Sequence, residues 1–151
     1  MYQIPNKAFK ERIEKYLDGQ HFMKLIGFQI QSIEPGRVEG VLDLKEVHRQ
    51  QRGLVHGGLS ATLADIVAGF AAYTVVPEDH HVVTAEIKVS YLNPGIGHKL
   101  YAVGWVLKQG RKMSFCEAEI WCENQGRKVL IAKATTTMAT IFPGDVPSPV
   151  V

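Results

Sequence analysis

From Leu59 to Val75 the chain reads LSATLADIVAGFAAYTV, and Asp65 is the single residue of that stretch able to carry charge. If the stretch is helical it is apolar nearly all round and therefore buried, and a buried carboxylate is rare unless it is paired, hydrogen-bonded or chemically employed. Just ahead of it stand His56-Gly57-Gly58. At the start of a helix these residues offer backbone N–H groups that have no intrahelical partner, reinforced by the helix dipole, and a residue without a side chain lets a substrate come close. Donors aimed at a developing oxyanion, and a carboxylate that attacks a carbonyl carbon or deprotonates water, are what hydrolysis at an acyl group requires. Spacing adds a constraint. Eight positions separate Gly57 from Asp65, about 12 Å along one straight helix, whereas both groups must come within about 3 Å of the same carbonyl group. One helix cannot supply both, so the site is expected to take Gly57 from one subunit and Asp65 from another, with two such helices antiparallel across a two-fold axis.

The elements that hold these groups follow from periodicity. Residues 6 to 18 place Phe9, Ile13, Tyr16 and Leu17 on one face of a short amphipathic helix that stops near Gly19. LIGFQIQSI and RVEGVLDL are strand-like and flank Glu34-Pro35-Gly36, which predicts a hairpin. Pro77 with Glu78-Asp79 stops the apolar helix. HVVTAEIKVSYL then sets Val83, Ala85, Ile87, Val89 and Tyr91 against Thr84, Glu86, Lys88 and Ser90, which predicts a strand with one covered face. KLYAVGWVLKQ, KMSFCEAEIWCEN and KVLIAKATTTMATIF follow as three more strands, joined into antiparallel hairpins through Gln109-Gly110-Arg111 and Asn124-Gln125-Gly126. The tail from about 143 to 151 offers nothing to pack. The expected architecture is a single α+β domain over 1–151, an antiparallel six-stranded sheet wrapped round a long central helix.

Composition removes several classes of function. With 46% hydrophobic and 9% aromatic residues, 151 residues suffice for one core. Seventeen basic against fifteen acidic residues leave a net charge of +2, with no basic run beyond Arg111-Lys112 and Arg127-Lys128, so nucleic acid is not an expected partner. Cys116 and Cys122 share one face of a strand at a spacing too long to bridge, as in a reduced, cytoplasmic protein. MYQIPNKAFKERIEKYL lacks the apolar block of a signal peptide, and the 59–75 run is short for a membrane span with an acid at its middle, so no membrane partner is expected. His80-His81 point to opposite faces of a strand and no HExxH or Cys/His cluster exists, so no metal is expected.

From about Leu25 to Ile141 the order of elements resembles the hotdog fold, and QQRGLVHGGLSATLAD within it resembles the thioesterases of the phenylacetate-degradation (PaaI-like) type. The resemblance implies an acyl-CoA thioesterase that splits an acyl- or aroyl-CoA into free acid and coenzyme A, needing no cofactor because coenzyme A belongs to the substrate. It implies Asp65 as nucleophile or general base and the Gly57 N–H as oxyanion donor. Gln50, or Gln51 if the loop shifts by one place, matches an amide near the thioester oxygen or the attacking water. Thr84 matches a hydroxyl that orients the water. His56 is a further catalytic candidate, although its commoner role would be to fix the loop before the helix. On the coenzyme A side, Gly58 offers backbone contact, and Arg111 and Lys112 at a hairpin tip offer charge to the phosphates. Phe70, Tyr73, Val83 and Tyr91 are candidates to line the acyl tunnel. Such enzymes assemble as homodimers, often paired into homotetramers. Two alternatives stand beside this reading. A non-catalytic acyl-CoA-binding hotdog protein would have no use for Asp65, and a hotdog enoyl-CoA hydratase would need an acid before Asn93-Pro94 and a His nearer than His98.

Overall fold

The computed structural model describes residues 2–145, so 146–151 of the expected tail lie outside the described residues. Its elements run α1 (Phe9–Asp18), α2 (His21–Ile26), β1 (Gln29–Glu34), β2 (Arg37–Asp43), a 3-10 turn (Glu46–His48), α3 (Gly57–Tyr73), β3 (His81–Tyr91), β4 (Lys99–Lys108), β5 (Met113–Asn124) and β6 (Arg127–Ile141). All strand pairs are antiparallel, in the order β1-β2-β4-β5-β6-β3. The sheet wraps α3 because both surfaces are apolar. Leu100, Ala102 and Val106 of β4 and Cys116, Ala118, Ile120 and Cys122 of β5 alternate inward onto Leu63, Ala64, Val67, Ala68 and Ala71 of α3. Burying each Leu or Val of this layer is worth about 1.5–3 kcal/mol. Gly104 sets the spacing: a Cβ there would stand 2.5 Å from the Val67 carbonyl carbon and 2.6 Å from the Ala68 nitrogen, so α3 rests its backbone directly on β4. Both cysteines are free and buried on the inner face of β5, as their spacing predicts. Among the described residues no helix is long and apolar enough to cross a membrane.

Three expectations are corrected. Leu25-Ile26, read as the start of a strand, belong to α2, which ends where Gly27 turns left-handed at φ 77, and the strand starts at Gln29. The long helix is not buried all round. Within one chain Ala61, Thr62, Asp65, Ile66, Gly69 and Tyr73 form a half-open stripe, so Asp65, midway along α3, is half-buried. Finally, β3 has no covered face of the kind expected. It is an edge strand paired only with β6, and Val83, Ile87 and Tyr91 are 49%, 36% and 58% exposed.

Candidate active site

His56 caps α3: its Nδ1 accepts from the Gly58 N–H at 2.9 Å and its carbonyl accepts from Leu59 at 3.0 Å. That cap occupies the Gly58 donor and leaves the Gly57 N–H with no acceptor among the described residues. An N–H held at a helix start, unpartnered and at the positive end of the dipole, is suited to a developing negative charge. Tyr91 frames it from β3. Its hydroxyl donates to the Gly57 carbonyl at 2.9 Å, and its ring would lie 3.2 Å from any Cβ at position 57, so glycine is what allows the ring onto the backbone there.

Gln50 sits beside Gly57 in a tight turn. Its N–H donates to the Leu54 carbonyl at 2.9 Å, and its Oε1 accepts from Arg52 N at 2.6 Å. Because the amide oxygen is used there, the NH2 end is the part left to donate outward. Arg49 pins the turn by donating to the Gly53 carbonyl at 3.0 Å and the Gly97 carbonyl at 2.7 Å. Buried His48 supports it from below. Its Nδ1 accepts from Lys45 N at 2.9 Å, and burial, chiefly, holds its pKa below the usual value. Gln50, Gly57, Ser60, Tyr91 and Asn93 line one cavity of about 410 Å³, whereas Gln51 is exposed outside it.

The second group forms round Asp65, whose Oδ1 accepts from the Thr84 hydroxyl at 2.6 Å. A bulge makes that bond possible. Thr84 pairs with Met138 and Glu86 with Thr137, so Ala85 is skipped and the alternation of β3 changes phase. Simple alternation sets Thr84 opposite in sense to Ile87, Val89 and Tyr91, but in the structure all four share the parity of buried Thr136 and Met138. Asp65, Ile66, Gly69, Phe70, Tyr73 and Thr84 line a cavity of about 610 Å³. Of the remaining tunnel candidates, Val83 lines this cavity too, from the parity opposite Ala139, and Tyr91 lines the other cavity.

The expected site residues are therefore sorted into two groups that share no cavity, Gln50, His56, Gly57 and Gly58 around the start of α3, and Asp65 with Thr84 at its middle. Arg111 and Lys112 join neither. The Arg111 guanidinium lies 5.8 Å from the Phe142 ring centroid at the β4–β5 tip, and the Lys112 carbonyl accepts from Thr140 N at 2.8 Å. The contacts of Tyr91 with Gly57 and of Arg49 with Gly97 have no signature in the sequence, because they arise where distant segments meet. The thiols are poor nucleophiles here, since burial pushes Cys116 up to about 11 and raises Cys122 as well. Among the described residues no three His, Cys, Asp or Glu side chains converge on a metal-sized site.

A carboxylate with a hydroxyl aligned on one oxygen, and a helix-start N–H beside a glutamine amide, are groups that chemistry at an activated acyl carbon can use, and they are carried on a helix-wrapping hotdog sheet. The chain belongs to the thioesterase superfamily, whose family model matches residues 52–129. It is a thioester hydrolase. It is similar to acyl-coenzyme A thioesterase 13 of Homo sapiens, with 26% identity over 133 residues that cover 87% of this chain and 93% of that protein. Among solved structures it is similar to a thioesterase family protein from Silicibacter pomeroyi, at TM-score 0.87 and 29% identity, covering 89% of this chain and 98% of that one. The PaaI protein of the E. coli phenylacetic acid degradation operon shares the fold, at TM-score 0.78 and 21% identity over 93% of this chain and 98% of that one.

Proposed function

We propose that the chain hydrolyses acyl-CoA thioesters in two equivalent sites between two copies of itself, each uniting Asp65 and Thr84 of one subunit with Gly57 and Gln50 of its partner. The observation that carries this reading is the division of the site: one group holds donors without a base, and the other a base without oxyanion donors. The exposed edge of β3 and the first part of the half-open stripe of α3, Ala61, Thr62 and Asp65, are the surfaces such a pairing would cover. β3 touches both groups, through Thr84 at one end and Tyr91 at the other. Antiparallel pairing of β3 with its copy, centred near Ile87 and Lys88, brings the Asp65 end of one subunit to the Gly57 end of the other. The dimer is then the smallest active unit, and pairing of dimers into tetramers is compatible with it.

In this site the thioester oxygen accepts from the Gly57 N–H and the Gln50 NH2, which stabilise the oxyanion as it forms. Thr84 holds Oδ1 of Asp65 and leaves Oδ2 to act. Oδ2 either attacks the carbonyl carbon, expelling the coenzyme A thiolate and leaving an acyl anhydride for water to open, or takes the proton from a water that attacks directly. Subunit sharing is tested by co-expressing Asp65→Asn and Gly57→Pro chains, each inactive as a homodimer; the Pro removes the donor. In the mixed dimer both lesions fall in one site and the other is intact, so activity should recover to about half of wild type per dimer. Circular dichroism and sizing control for misfolding of the Pro chain. No recovery in well-folded mixed dimers, or an active monomer on a sizing column, refutes the shared site.

A further inference from the structure

The cavity beside Asp65 is longer than attack on a carbonyl needs, and its direction is set by three residues. Asp65, Gly69 and Tyr73 follow at intervals of four on the half-open stripe of α3, with Ile66 and Phe70 flanking them. From Asp65 to Tyr73 the helix advances about 12 Å. Midway, Gly69 leaves the stripe bare: a Cβ there would meet nothing within 4 Å. A helix interior disfavours glycine by about 1 kcal/mol relative to alanine, so the open space at Gly69 carries a stability cost that no packing contact within the chain requires.

The far end is closed. Tyr16 of α1 meets Tyr73 edge-on at 5.7 Å between ring centroids, and the Tyr73 hydroxyl is 3.4 Å from His81 Nδ1. Arg12 lies behind this wall, its guanidinium 5.4 Å from the Tyr16 ring centroid and 5.1 Å from that of Tyr73. Three of its N–H groups are engaged, with the Pro77 carbonyl at 2.9 Å, the His80 carbonyl, and the Tyr16 hydroxyl at 3.3 Å. The end of the cavity is therefore an aromatic wall, beside which Gln20 and His81 also line the surface.

The geometry points to this cavity as the acyl-binding channel of the same subunit that supplies Asp65, with Gly69 and the Tyr73–Tyr16 wall setting the length of a straight acyl chain. An extended chain advances about 1.2 Å per bond, so the channel holds an acyl group of about eight to ten carbons. This inference rests on the thioesterase reading and adds the substrate class to it. A ring directly next to the carbonyl would fill only the half of the channel nearest Asp65.

The test is a series of straight-chain acyl-CoA esters from butyryl to palmitoyl, with phenylacetyl-CoA alongside, on the wild-type dimer and on Gly69→Leu and Tyr73→Ala. Wild type should reach its highest kcat/KM at about eight to ten carbons. Gly69→Leu should lose about 100-fold on decanoyl-CoA, the worth of three to four methylenes denied burial, and stay within about threefold on butyryl-CoA. Tyr73→Ala should move the optimum to longer chains. Decanoate should raise the Tm of wild type and not that of Gly69→Leu, a readout that needs no catalysis. Gly69→Ala, which helix propensity favours, should shift the profile in the same direction by less. A wild-type optimum at butyryl-, palmitoyl- or phenylacetyl-CoA, or a Gly69→Leu loss equal at every length, overturns the channel. Hydrolysis of no acyl-CoA by folded wild-type dimer overturns the thioesterase reading instead.

Discussion

Replacing Thr84 by valine removes one hydroxyl and keeps the branched shape that suits a strand. The lost bond is the 2.6 Å donation to Asp65 Oδ1, a short contact to a carboxylate in a region still open to water in one chain. Hydrogen bonds to charged groups contribute about 1.5–3 kcal/mol, and solvent access places this one toward the lower end. If the bond holds Asp65 in its reactive orientation only as the transition state forms, the loss appears in kcat as about 10- to 30-fold. KM should stay within about twofold, because Thr84 is assigned to the carboxylate and not to the coenzyme A handle. Thr84→Ser keeps the hydroxyl and should stay within about threefold of wild type in kcat, losing only some rotamer restraint. The assay is steady-state release of the coenzyme A thiol, followed with a thiol-reactive chromophore on the best ester of the series. An unchanged kcat for Thr84→Val, or an effect confined to KM, would show that the contact is structural and that another group aligns Asp65.

Asp65→Asn conserves size and should lower kcat by at least about 100-fold, the scale of losing a positioned acid–base group, with Tm by calorimetry unchanged to within a few degrees. Gly104→Ala drives a methyl into the α3 backbone at 2.5 Å and should destabilise by about 1–3 kcal/mol, read as a lower denaturation midpoint at unchanged slope. His48 is held below its ordinary value of 6.5 in the folded state, chiefly by burial, so the unfolded chain binds its proton first as pH falls. Stability should therefore be complete above about pH 6.5 and decline as the pH drops from there toward the folded pKa, and His48→Asn should flatten that part of a Tm-against-pH curve.

Much of the site was legible in the residues themselves. An isolated acid in an apolar run, and glycines at the start of that run, are local signals, because helix capping, dipole and hydrophobic period all act within a few turns. The same locality made the two-chain argument possible, since rise per residue alone separates Gly57 from Asp65 whatever the rest of the molecule does. The order of hairpins was legible for a related reason, as turn residues and alternation are short-range. The position of Thr84 was not. Strict alternation puts it on the wrong face, and the bulge that corrects this exists only because β3 must follow β6 while one residue of its own goes unpaired. The partial exposure of Asp65 was hidden too, since an apolar helix reads as buried whether its cover comes from its own sheet or from a second copy. Tyr91 over Gly57, Arg49 beneath the Gln50 turn and Arg12 behind the Tyr16–Tyr73 wall join residues 34, 48 and 65 positions apart or link different layers. Such contacts are decided by how the sheet closes round the helix, because they carry no period and no local propensity, and so only the tertiary structure could assign them.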